Sequence, residues 1–123
     1  MIEMNTEYKA HSNEEKVKEF ERLLNIMTRL RAECPWDKEQ TFDSLRTNTI
    51  EETYELADAI LSGDMPEIRK ELGDLLLHIV FYAQMGSETN DFDFYDVCNG
   101  LCEKLIYRHP HIFGDVVAHD SEM

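Results

Sequence analysis

Val17, Phe20, Leu23, Leu24, Met27 and Leu30 recur at intervals of three and four, while Lys18, Glu19, Glu21, Arg22 and Arg29 fill the other faces. That period predicts an amphipathic helix. Ser12-Asn13-Glu14-Glu15 supplies its start, because a Ser followed three residues on by Glu can form a reciprocal capping box. Residues 1–11 show no apolar period and are expected to be disordered or loosely attached, with one ordered domain over 12–123. Cys34-Pro35-Trp36-Asp37-Lys38 predicts the stop and a loop carrying a Trp, since Pro35 disfavours helical geometry before it and cannot donate an intrahelical hydrogen bond.

From Phe42 to Leu61 the positions Leu45, Ile50, Tyr54, Ala57 and Leu61 form a second helical stripe, stopped by Ser62-Gly63-Asp64. Asp64-Met65-Pro66-Glu67 starts a third helix, with Asp as N-cap and Pro in the first turn. A turn this short predicts an antiparallel hairpin. The third helix is expected to run to about Met85, and from Leu75 to Ala83 it is apolar nearly all round, broken by His78. Such a helix must be covered on several sides, which three or four helices of one small chain can hardly do, so the pattern predicts a homodimer. Asp93-Phe94-Tyr95-Asp96 begins a fourth helix through Tyr107, ended by Arg108-His109-Pro110. No convincing β alternation and no internal repeat occur. The expected fold is all-α: antiparallel helical hairpins forming a four-helix-bundle-like core, completed by dimerisation.

With 123 residues the chain can bury one core. Twenty-six Asp and Glu against twelve Lys and Arg give a net charge of −14, which argues against binding nucleic acid or anionic membrane. An acidic protein that handles phosphates needs cations between the like charges. No run approaches the roughly 18 apolar residues of a membrane span, and Met1-Ile2-Glu3-Met4-Asn5-Thr6-Glu7 lacks the basic and apolar regions of a signal peptide, so a cytoplasmic location is expected. Cys34, Cys98 and Cys102 lack framework spacing and are expected to be thiols buried as small hydrophobes.

The acids inside the helices change the picture most. Glu51, Glu52 and Glu55 lie on the second helix, where spacings of three and four place side chains about 5–6 Å apart. Glu71 and Asp74 repeat the spacing on the third. Glu55 is eight residues before Gly63 and Glu71 eight after, so the two clusters lie level across the hairpin. Like charges so close raise pKa values or force the hairpin open unless cations sit between them. Hard oxygen donors of this kind suit Mg2+ or Mn2+. The plain alternative, a solvated acidic helix face, is weakened because Glu71 and Asp74 interrupt a helix that becomes almost wholly apolar.

Other groups carry weaker signals. Cys98 and Cys102 with His109 and His111 could be zinc ligands, but Pro110 and the uneven spacing fit no standard pattern. His78, four residues after Asp74, is either a partner near the metals or a satisfied core histidine, and the second is favoured. Lys104 and Arg108, four apart, could point together at a phosphate or form a solvated basic face. Trp36 could stack on a base, although anchoring its loop on the core is favoured.

The chain resembles the MazG-like nucleoside triphosphate pyrophosphohydrolases of the all-α NTP pyrophosphatase superfamily. The similarity spans about Leu23 to Asp115: Cys34-Pro35-Trp36-Asp37 with Gln40-Thr41, then Glu51-Glu52-Thr53-Tyr54-Glu55, Glu71-Leu72-Gly73-Asp74, and Arg108-His109-Pro110-His111-Ile112-Phe113. It implies a Mg2+-dependent homodimer of helical hairpins that hydrolyses nucleoside triphosphates to the monophosphate and pyrophosphate in nucleotide-pool housecleaning. It implies Glu52, Glu55, Glu71 and Asp74 as metal ligands, with Glu51 as a further ligand or the group orienting the attacking water, and Glu52 beside it in catalysis. Lys104 and Arg108 match triphosphate-holding positions, and Trp36 and Lys38 are implied less securely as substrate contacts. Similar chains continue past Asp120-Ser121-Glu122 into another helix, and two-domain members into a second catalytic copy, so a fragment or a trimmed single-domain form is expected. Two other classes stay open: a non-catalytic acidic helical interaction module, and a metal-dependent hydrolase of other phosphate esters, which would release orthophosphate.

Overall fold

The computed structural model describes residues 7–114, and every regular element among them is a helix: α1 (Asn13–Glu33), α2 (Pro35–Lys38), α3 (Phe42–Ser62), α4 (Met65–Glu88), α5 (Phe94–Arg108) and α6 (Pro110–Phe113). The expectation for residues 1–6, and that of an ordered chain over 115–123, lie outside the described residues. No described helix is long and apolar enough to cross a membrane. The chain forms two compact units, one up to Lys38 and one from Glu39 onward.

The first unit begins with the predicted cap. The Glu15 amide donates to Ser12 Oγ at 3.1 Å, and Glu15 Oε1 accepts from the Ser12 amide at 3.0 Å. Met27 is the buried residue of α1. The expected loop at Pro35 is instead a short helix, because a proline that cannot continue one helix is preorganised to open the next. Arg31 Nη1 closes this turn by donating to the carbonyls of Asp37 at 2.6 Å and Lys38 at 3.2 Å.

In the second unit, α3 and α4 form the hairpin. Thr41 and Ser44 cap α3 reciprocally, at 3.0 and 2.8 Å. Gly63 ends α3 in the left-handed region at φ 73°, where a glycine lacks the Cβ penalty. Asp64 then caps α4 by accepting from the Glu67 amide at 3.2 Å. The face that α3 turns inward is Leu45, Thr49, Glu52, Leu56 and Ala59, spaced four, three, four and three. This corrects the predicted stripe: only Leu45 of it is buried, while Ile50, Tyr54 and Leu61 are 54%, 69% and 87% exposed. The polar Thr49 and Glu52 stand where an apolar count had expected hydrophobes, which shifted the reading around the helix.

α4 buries Glu71, His78, Val80, Phe81, Ala83, Met85 and Gly86, so its last turns are enclosed nearly all round, as their apolarity requires. It extends one turn past the expected end. A Cβ on Gly86 would lie 2.7 Å from the Phe92 ring, so a glycine lets the connection fold back over the helix. Asp93 caps α5 in a reciprocal box with Asp96. No residue of α5 is buried; its apolar positions Val97, Leu101 and Leu105 are exposed. Cys98 and Cys102 are exposed too and Cys34 is half-buried, which corrects their reading as buried hydrophobes. Pro110, expected only as a terminator, opens α6.

Candidate metal centre

The turn at Gly63 brings Glu52 and Glu55 of α3 against Glu71 of α4. One carboxylate oxygen from each lies within 4.8 Å of the others. Glu71 is 3% exposed, Glu52 is half-buried and Glu55 faces solvent. Glu52 Oε2 and Glu71 Oε2 are both buried without a hydrogen-bond partner, an arrangement that costs stability in a metal-free protein.

The charges report the same conflict. Burial, followed by the charges of Asp74 and Glu71, pushes the Glu52 carboxyl above its ordinary value. The Glu52 charge, followed by that of Glu71, pushes Glu55 up as well. Glu71 goes the other way, held down chiefly by its hydrogen bond from Lys70 against the opposing effect of burial. Two raised carboxyls around one lowered and buried carboxylate make a site that gains from a cation. Hard oxygen donors with unpaired buried lone pairs fit Mg2+ or Mn2+.

Asp74 stands outside the group of three. Its Oδ2 lies 3.6 Å from Lys70 Nζ, which also reaches Glu71 Oε1 at 3.1 Å and Glu67 Oε1 at 3.8 Å. Glu51 is exposed and about 100° around α3 from Glu52, away from the convergent oxygens. Sequence reasoning missed Glu67 and Lys70, although Glu67, Glu71 and Asp74 share the spacing of one helix face and Lys70 is three and four residues from its partners.

His78 is a satisfied core histidine. Its Nδ1 lies 2.7 Å from Thr49 Oγ1, which also bonds the Tyr82 hydroxyl and donates to the Leu45 carbonyl at 3.0 Å. Burial lowers its pKa, opposed by the Asp74 charge. Tyr82 stacks on Phe42, ring centroids 5.5 Å apart. This network joins α3 to α4 in the same seam as the carboxylates.

The remaining candidates are not drawn to the acids by any printed geometry. Lys104 and Arg108 are exposed one turn apart on α5, and neither forms an ion pair among the described residues. Trp36 is 79% exposed, so it does not anchor its turn by burial, and Lys38 is exposed beside it. No cysteine or histidine belongs to a group with metal-ligand convergence among the described residues; His109 Nδ1 is 2.6 Å from the Leu105 carbonyl oxygen and its ring is 5.7 Å from that of His111.

The family model of the MazG nucleotide pyrophosphohydrolase domain matches residues 40–113, which include the whole hairpin and all the carboxylates. The chain is 53% identical over 106 residues to a nucleoside triphosphate pyrophosphohydrolase of Escherichia coli (strain K12), covering 84% of this chain and 40% of that protein. It is 49% identical over 98 residues to a nucleoside triphosphate pyrophosphohydrolase/pyrophosphatase MazG of Thermotoga maritima, covering 78% and 38%. A nucleoside triphosphate pyrophosphohydrolase of Mycobacterium tuberculosis is 40% identical over 109 residues, covering 84% and 34%. The chain thus spans about two fifths or less of the length of these relatives.

Proposed function

The chain belongs to the MazG nucleotide pyrophosphohydrolase family, and from that premise we propose that it hydrolyses nucleoside triphosphates to the monophosphate and pyrophosphate, in nucleotide-pool housecleaning in the cytoplasm. The observation that carries this reading is the buried Glu71 carboxylate, its Oε2 unpartnered and its oxygens convergent with those of Glu52 and Glu55. Glu52, Glu55 and Glu71 would hold Mg2+, or Mn2+ in its place, with Asp74 as the fourth ligand. The ion, when bound, supplies charge neutralisation for the polyphosphate and lowers the pKa of a coordinated water.

The chain's own residues do the rest. Glu71, kept ionised by Lys70, offers a fixed negative charge in a partly dry seam, where electrostatic interactions are stronger than in water. Glu52, raised by burial and then by the charges of Asp74 and Glu71, and Glu55, raised by the charges of Glu52 and Glu71, resist ionising together without a cation and would hold the ion as carboxylates. Glu51, exposed one residue before Glu52, would orient water from the outer side. Lys104 and Arg108 would steady the outer phosphates.

A homodimer is part of the proposal. It is supported by Val97, Leu101 and Leu105 on α5 and Ile50, Tyr54 and Leu61 on α3, apolar positions left facing water. Sedimentation at micromolar concentration tests it: the expected species is twice the 14.5 kDa chain, and a fully helical monomer contradicts it. For the activity, incubation of a nucleoside triphosphate panel with Mg2+ is expected to release pyrophosphate and to stop on chelation. Orthophosphate alone would indicate an ordinary phosphate-ester hydrolase, and no release would indicate a non-catalytic helical module.

A further inference from the structure

We propose that Lys70 is an exchangeable counter-cation of the carboxylate cluster, one that holds Asp74 and Glu71 in the metal-free chain and gives up Asp74 when a divalent cation binds. The inference rests on the reading of Glu52, Glu55, Glu71 and Asp74 as a metal site. It is carried by how these groups share partners. Glu71 is divided between two roles: Oε1 takes a hydrogen bond from Lys70 Nζ at 3.1 Å, while Oε2 is buried with no partner at all. Asp74 is the expected ligand that does not join the convergent group, and its Oδ2 is instead 3.6 Å from the same ammonium. Glu67 completes the set at 3.8 Å.

One ammonium in contact with three carboxylates on a single helix face does part of what a divalent cation would do. It offsets repulsion between acids three and four residues apart without requiring anything from solution. Its own exposure decides that the arrangement is exchangeable rather than fixed. The Lys70 side chain is 62% exposed and ends a flexible stem, so the ammonium can withdraw to water at small cost. The buried oxygens have no such freedom. A divalent cation approaching Glu52, Glu55 and Glu71 meets a positive charge at the edge of its site, and it competes with Lys70 for Asp74 Oδ2. The residue therefore keeps the acidic hairpin closed when metal is scarce and raises the metal concentration needed to fill the site.

Nucleotide-free protein and Mn2+ alone provide the test, with bound ion followed by electron paramagnetic resonance. Lys70→Gln is expected to bind Mn2+ several-fold more tightly than the wild type and to melt at a lower temperature in chelator. Lys70→Arg, which keeps the charge, should stay near the wild type in both. In the unaltered chain, acetylation of the Lys70 amine, read by mass spectrometry, should speed up on adding Mn2+ as the ammonium is released. Unchanged or weaker Mn2+ binding by Lys70→Gln, or an amine whose reactivity ignores Mn2+, overturns the proposal while leaving the metal site standing. A wild type that binds no Mn2+ overturns both.

Discussion

The seam between α3 and α4 has two ends built from similar materials to opposite effect. Near its open end, Thr49, His78 and Tyr82 place polar atoms in the interior, and each finds a partner. About one to two helical turns closer to Gly63, Glu52 and Glu71 place polar atoms in the same seam, and one oxygen of each finds none. A polar group buried with its partner contributes to register and stability, whereas one buried without a partner costs stability unless something outside the chain completes it. The satisfied end is structure, and the unsatisfied end is the one we propose as a site.

The largest expected effect breaks the comparison at the unsatisfied end. Glu52→Gln and Glu55→Ala should abolish pyrophosphate release, while the chelator-treated protein melts no lower than the wild type, because repulsion among the acids falls. Near-normal turnover, or unfolding of the metal-free variant, would make these carboxylates structural.

Next in size is the packed end, where Phe81 is 4% exposed. Phe81→Ala should cost about 3–5 kcal/mol in denaturant unfolding, the usual loss for a buried ring. Its Mn2+ affinity in the folded state should stay within the range of the wild type. A selective loss of metal binding without loss of stability would erase the distinction between the two ends.

Thr49→Val is a smaller cut at the same end. It keeps the shape and removes the hydroxyl that pairs with His78 and Tyr82, leaving buried groups unsatisfied at about 1–3 kcal/mol. Denaturant midpoints compared with those of the double variant Thr49→Val/Tyr82→Phe would show whether the energy belongs to the network.

The smallest effect is the pH dependence of the metal-free protein. Glu52 and Glu55 have folded pKa values above the ordinary carboxylate value, so the native state binds more protons than the unfolded chain between the two, and stability falls as pH rises through that window. Glu71 is opposite: its lowered pKa gives a contribution present above the ordinary value and lost as pH falls through the lowered one. Thermal melts in chelator across the acidic range should therefore show a decline on the upper side of the carboxylate range that Glu52→Gln flattens. A decline of the same slope in that variant would assign it to other groups.

What could be read from the chain divides along the same physical line. The caps at Ser12, Asp64 and Asp93, and the turn at Gly63, were legible because each depends on neighbours within three or four residues. The meeting of Glu52, Glu55 and Glu71 was legible because helix period and hairpin length fix it together. The face of α3 was not, since Thr49 and Glu52 are polar and their burial is decided by partners on α4. α2 and α6 were read as breaks because Pro35 and Pro110 both end one helix and begin another. Lys70 carried no signal of its own: a lysine beside acids on a helix looks like a solvated pair until a buried partner such as Glu71 shows otherwise.

If the unsatisfied end of the hairpin is a divalent-cation site, anomalous diffraction from crystals grown with Mn2+ and a non-hydrolysable nucleoside triphosphate will locate the ion there. An anomalous peak is expected among the oxygens of Glu52, Glu55 and Glu71, with Asp74 turned from Lys70 toward it. Anomalous signal absent from these carboxylates, or found only elsewhere on the chain while nucleotide is bound, would contradict it.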